Sequence, residues 1–152
     1  MNKICTIDGG FDCPNLRTII MSDNLIREIT PFMFQKCKNV RKLNLDINHL
    51  TKIQNLHNLT ELTELSIQNN RIGCIEGLSS CSKLRSLNLS FNIITRLEGI
   101  SSLLLLEMLE LGKNQIVNID ALQSPNNRLL FLQELYLYMN QIRTVPKCLS
   151  FP

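Results

Sequence analysis

The sequence predicts an α/β-type solenoid: a curved parallel β-sheet on its concave face and 3₁₀ or irregular returns on its convex face. Three observations carry that reading. Asparagine recurs at Asn24, Asn48, Asn70, Asn92, Asn114 and Asn140, each inside a frame of the form L-x-x-L-x-L-x-x-N-x-I-x-x-I. The intervals between them are 24, 22, 22, 22 and 26 residues. Within each interval the apolar spacing switches from two to three. Self-similarity at a period of this length marks a repeat architecture, in which each unit buries its apolar face only against its neighbours.

Each element follows from that pattern. Leu65/Ile67, Leu87/Leu89 and Leu109/Leu111 alternate with polar residues, as a short half-buried strand requires. Ile72, Ile75, Leu78, Cys81 and Leu84 then recur every three residues, a period that suits 3₁₀-like turns, whose side chains eclipse at i and i+3. An α-helical return would need the i, i+3, i+4, i+7 pattern and a longer segment. The two long intervals place their extra residues in returns, "TPFMFQKCKN" and "LQSPNNRLLF", where they are expected to bulge without disturbing a strand. The chain is therefore divided into an N-terminal half unit (1–15), six repeats (16–145) and a short uncapped tail (146–152), together one domain. In the half unit Ile4, Ile7, Gly10 and Cys13 continue the three-residue spacing and are expected to cover the end of the core.

The asparagines have a structural role in this scheme. After each strand the chain turns sharply, leaving buried backbone groups without a ladder partner. A side-chain amide supplies both donor and acceptor to its own turn and the adjoining one.

Composition narrows function. The 152 residues are 44% apolar and only 5% aromatic, so the core is aliphatic. Net charge is +3, with no dense Lys/Arg stripe, so direct nucleic-acid binding is not expected. The longest greasy run, Leu103–Leu106, cannot span a bilayer, and MNKICTIDGGFDC lacks a signal-peptide core. An intracellular protein, cytoplasmic or nuclear, is the expectation. By register, Cys13, Cys37, Cys81 and Cys148 fall in core columns, while Cys5 and Cys74 fall at exposed ones. No C-x-x-C pair or metal-ligand spacing occurs, so neither metal nor cofactor is expected. His49 and His57 stand apart from any nucleophile motif and read as surface residues; the sequence gives no positive sign of catalysis.

Outward strand positions form the candidate binding surface. The columns are Thr18, Lys42, Glu64, Ser86, Met108, Glu134; Ile20, Asn44, Ser66, Asn88, Glu110, Tyr136; and Ser22, Asp46, Gln68, Ser90, Gly112, Tyr138. Just beyond lie Asp23, Ile47, Asn69, Phe91, Lys113 and Met139. The middle is polar and bland. At the C-terminal end Tyr136, Tyr138, Met139, Met108, Glu110, Glu134, Phe91 and Lys113 gather, with Glu107 nearby, and this acidic and aromatic group is the expected contact for a basic or amphipathic protein or peptide. The open C-terminal edge also invites self-association.

The 22-residue units, the Ile-x-x-Ile after the asparagine and the links "IEGL", "LEGI" and "IDAL" resemble an intracellular subclass of leucine-rich repeat proteins. Its members include the repeat-built regulatory subunit of protein phosphatase 1, an axonemal dynein light chain and a spliceosomal U2 A′-type protein. The resemblance covers Leu16 to Val145. It implies a non-catalytic interaction scaffold, such as a phosphatase regulator or a cytoskeletal or ciliary adaptor. Alternatives are a ribonucleoprotein component of the U2 A′ type, holding a protein partner, and an extracellular or effector recognition module. The capping motif that follows the phosphatase regulator's last repeat has no counterpart here.

Overall fold

The computed structural model describes residues 2–123 and 129–145. Six strands, β1 (Thr18–Ile20), β2 (Lys42–Asn44), β3 (Glu64–Ser66), β4 (Ser86–Asn88), β5 (Met108–Glu110) and β6 (Glu134–Tyr136), pair in chain order. Every pairing is parallel, and each repeat aligns with the next without a slip, as in Leu43↔Leu65 and Leu65↔Leu87. The sheet lines the concave face of the expected solenoid. The central residue of β1 to β5 is buried; its two neighbours face the concave side.

The three-residue spacing of the returns has a direct cause. Leu59 N–H donates to Leu56 C=O at 2.9 Å, and Leu62 N–H to Leu59 C=O at 3.2 Å. The next repeats do the same, from Cys81 to Leu78, Leu84 to Cys81, Leu103 to Ile100 and Leu106 to Leu103. Successive i+3 turns bring every third side chain inward, which is why Leu56, Leu59 and Leu62 are all fully buried. The "IEGL" and "LEGI" glycines belong to this geometry. Gly77 and Gly99 have φ of 69° and 80°, and a Cβ there would lie 2.2 Å from the Ile53 oxygen and 1.9 Å from the Ile75 oxygen. Only glycine admits that approach. Where "IDAL" puts Ala121 at this position, the chain winds into a 3₁₀ helix over Asp120–Gln123.

Each ladder asparagine joins two repeats. Asn92 Oδ1 accepts from Ile72 N–H at 2.9 Å, while its Nδ2 donates to the carbonyls of Ile67, Leu89 and Ser90 at 2.9, 3.1 and 3.2 Å. Asn48, Asn70 and Asn114 repeat the arrangement. The turn that aims them inward puts the preceding residue in the left-handed region. Asp23, Ile47, Asn69, Phe91, Lys113 and Met139 all have φ between 53° and 58°.

The ends differ from the sequence reading in several places. The N-terminal cover consists of Ile7, Phe11 and Leu16, half-buried against the core, with the Phe11 ring stacked on Phe34 at 6.3 Å. Ile4 is 36% exposed, and its contribution is its backbone: its N–H donates to Asn24 Oδ1 and its C=O accepts from Leu25. Cys13, expected in the core, is exposed, at the outermost column of the described residues. Cys37 and Cys81 are buried as expected, and burial pushes the Cys81 thiol up to about 11. The long return after β1 does not simply bulge outward, since Met33, Phe34 and Cys37 enlarge the core. In the last repeat Leu132, Leu135, Leu137 and Ile142 are only half-buried. Cys148 and the tail 146–152 lie outside the described residues, as does 124–128 of the last return.

Two stability effects are expected. Asn92→Ala leaves Ile72 N–H without its partner and takes one of two donors from the Ile67, Leu89 and Ser90 carbonyls, and should cost about 2–3 kcal/mol, whereas the half-exposed Asn140→Ala should cost about 1 kcal/mol. Urea denaturation of both variants measures the difference; equal losses would contradict the burial argument. Ile47 is a β-branched residue in the left-handed region, yet 49% exposed. Ile47→Asn should therefore stabilise by about 1 kcal/mol, and a lower melting temperature would show that its packing outweighs the strain.

Candidate functional site on the concave sheet

The polar middle of the concave face is a closed network. Asp46 Oδ1 accepts from Ser66 Oγ at 2.5 Å and Gln68 N–H at 2.7 Å, and Asp46 Oδ2 accepts from Asn44 Nδ2 at 2.8 Å. Asn88 continues it, donating to Gln68 Oε1 at 3.4 Å and accepting from Ser90 N–H at 2.9 Å. Two positions expected to face outward do not reach solvent. Ser90 is 1% exposed, its hydroxyl meeting no partner, and Gly112 is buried.

Gly112 is covered for a specific reason. A Cβ on it would lie 2.3 Å from both Cε1 and Cζ of Tyr138, so the phenol end of that ring rests on the glycine backbone. The missing side chain is the seat of the ring. Sequence reading placed Gly112 in this column without giving it a role; a glycine among outward strand positions was the available signal.

Beside this pair, the β5–β6 pairing sets Glu110 across from Tyr136 and Met108 across from Glu134. Tyr136 Oη donates to Glu134 Oε2 at 2.6 Å, and that bond, followed by the Glu134 charge, holds the phenol above its ordinary range. Glu110 is also pushed up, first by burial and then by the charges of Glu134 and Asp46. At the rim Lys113 Nζ stands 4.4 Å over the half-buried Phe91 ring, while Met139 is 69% exposed. The eight sequence-predicted residues thus occupy the two last strands and the rim beside them.

Charge pairing divides the face. Lys42 bonds Glu64 at 2.7 Å, Lys83 bonds Glu61 at 2.5 Å, and Arg85 bonds Glu107. Glu107, counted from sequence toward the acidic end, is therefore neutralised by the preceding repeat. Among the described residues Glu110 and Glu134 have no basic partner. Ile20, placed by sequence in the second outward column but given no role, is 63% exposed at the N-terminal edge of the concave face. Among the described residues no group of three His, Cys, Asp or Glu side chains is placed to hold a metal ion. No helix among them is long and apolar enough to cross a membrane.

Comparison with known proteins agrees with this architecture. A leucine-rich repeat family model matches residues 14–72, and a second, for two copies of the repeat, matches residues 60–102. No curated protein sequence matches the chain. An internalin of Listeria monocytogenes superposes with a TM-score of 0.73 and 30% identity, over 84% of this chain and 36% of its own. A leucine-rich repeat protein of Leptospira interrogans gives 0.75 and 24%, over 86% of this chain and 33% of its own. Toll, from the Drosophila Toll–Spätzle complex, gives 0.77 and 26%, over 84% and 19%. The chain thus spans about a third or less of each. Repeat frame, asparagine ladder and family matches agree: the chain is a leucine-rich repeat protein.

Proposed function

We propose that the chain is a non-catalytic scaffold that holds a basic segment of a protein or peptide on the C-terminal end of its concave sheet. One observation supports this most. Glu110 and Glu134, which share that corner with both tyrosines and two methionines, lack a cation, whereas Glu64 and Glu107 are ion-paired and Asp46 accepts hydrogen bonds from its neighbours. Aromatic anchors beside unpaired charge suit a desolvated contact with lysine or arginine. The partner class implied by the sequence resemblance is a phosphatase catalytic subunit or a cytoskeletal or ciliary component; a U2 A′-type ribonucleoprotein role would use the same protein-binding face. An intracellular location, cytoplasm or nucleus, belongs to this reading, with exposed thiols at Cys5, Cys13 and Cys74 in its favour. The likeness to an internalin and to Toll favours a second reading, an extracellular or effector recognition module.

Tyr136→Ala with Tyr138→Ala should leave the thermal transition largely in place, since the rings are 42% and 47% exposed, and should weaken partner binding about tenfold or more. Quantitative affinity capture from source-cell lysate, wild type beside the double variant, measures this. A partner held equally by both would move the site to the polar repeats or the convex face.

Glu110→Gln separates binding from stability. Because the folded protein raises this carboxyl, its contribution to stability is greatest at low pH and is lost as pH rises through its folded pKa. The variant should melt at or above the wild-type temperature at neutral pH. It should bind the captured partner more weakly, and wild-type affinity should fall as pH is lowered through the carboxylate range. A variant that melts lower and binds normally would assign Glu110 to the fold alone.

A further inference from the structure

The two ends of the solenoid are unlike. The N-terminal end is covered by Ile7 and Phe11, and Ile4 N–H already fills Asn24 Oδ1. The C-terminal end exposes Leu130, Phe131, Tyr136, Tyr138, Met139 and Val145, over half-buried Leu135 and Leu137.

The backbone there is also unfinished. Glu134 N–H donates to Glu107, and Tyr136 and Tyr138 carbonyls accept from Leu111 and Lys113, so these three residues turn their polar groups toward β5. By alternation Leu135 and Leu137 turn theirs away from it, and the Met139 N–H, in the turn that follows, does the same. One repeat earlier, Leu111 and Lys113 N–H donate forward to β6, and Ile116 N–H donates to Asn140 Oδ1. Among the described residues nothing receives Leu137, Met139 or Ile142 N–H. Exposed edges are ordinarily blunted by lysine, proline or a bulge. Residues 129–145 contain no lysine and no proline.

We propose that this edge pairs antiparallel with the same edge of a second copy, about a two-fold axis at Tyr136. That register sets Leu135 against Leu137 of the other copy, and Met139, in its left-handed turn, lies just beyond the paired residues. The edge is self-complementary because Leu135 and Leu137 each turn an N–H and a C=O outward, although the Leu137 carbonyl also accepts from Asn140 Nδ2. Charge supports the antiparallel sense. The only charged residues in 129–145 are Glu134, at the strand's start, and Arg143, beyond its turn. Reversing one copy brings each Glu134 toward the other copy's Arg143. Head-to-tail stacking would instead press the edge onto a half unit carrying exposed Lys3, Asp8 and Asp12.

Sedimentation velocity of the full chain, under reducing conditions and without any partner, tests this independently of the binding role proposed above. The expected result is a monomer–dimer equilibrium that stops at the dimer. Met139→Lys should shift it to monomer while leaving the fold intact, because Lys113 takes the same backbone conformation one repeat earlier. Glu134→Arg or Arg143→Glu alone should raise the dissociation constant about tenfold, and the two together should restore it. A monomer at every concentration overturns the proposal, whether the edge is bare or covered by the chain's own tail. So does a dimer indifferent to all these variants, or growth beyond a dimer.

Discussion

Every repeat here is incomplete without the next, because the hydrogen bonds that close its turn are made by the neighbour's asparagine. Asn48 reaches back to the Met21 carbonyl and receives Ile26 N–H; Asn70 does the same for Leu45 and Leu50, and so on along the stack. A buried amide that left these groups unpaired would be costly, so the ladder fixes register as well as spacing. The consequences spread outward. The turn must enter the left-handed region just before each asparagine, and that requirement falls on whatever residue stands there, from a well-suited Asn69 to a strained Ile47. The sheet then inherits its unslipped pairing from the turns, since strands of three residues contribute few bonds of their own.

Most of this was legible because periodicity is a local signal that physics repeats. The strand centres Leu43, Leu65, Leu87 and Leu109 and the i+3 inward columns follow from alternation and turn geometry alone. The asparagines could be assigned because a polar residue in a buried column has few other uses. What sequence missed lies where a position depends on its surroundings. Cys13 shares a column with buried Cys37 and Cys81, but a column says nothing about whether a unit exists beyond it. Glu107 looked like part of an acidic end until Arg85, a repeat away, was seen to pair with it. Gly112 acquires meaning only with the Tyr138 ring on top of it. The eight residues assigned to the candidate site were brought together because they were chosen by column, and columns are what the ladder preserves.

The concave face is therefore two surfaces. From β2 to β4 its polar side chains satisfy one another, through Asp46 above all, and a ligand there would have to break bonds it could only replace. On β5 and β6 the balance changes. Glu110 is partly desolvated beside two other acids, a condition that costs stability and that a cation would relieve. Sites held in such tension are where stability and function conflict. The Tyr138 ring on Gly112 gives this corner a fixed shape beside that charge, so an incoming group would meet a preset surface.

The same repeat that carries this corner also ends the described stack, and the two facts are linked. What each earlier repeat gives forward finds no acceptor, among the described residues, in the last described one: the N–H groups of Leu137, Met139 and Ile142. Tyr136 and Tyr138 alternate with Leu137 along that edge, so anything that completes the backbone also sets the surroundings of the rings. On the two-fold pairing, the tyrosines of the two copies would stand beside one another, and the carboxylates of both that lack a cation would border one continuous concave sheet. Edge completion and partner recognition would then draw on the same side chains. A ligand spanning the seam would strengthen the pairing, and one that needs the tyrosines separately would oppose it.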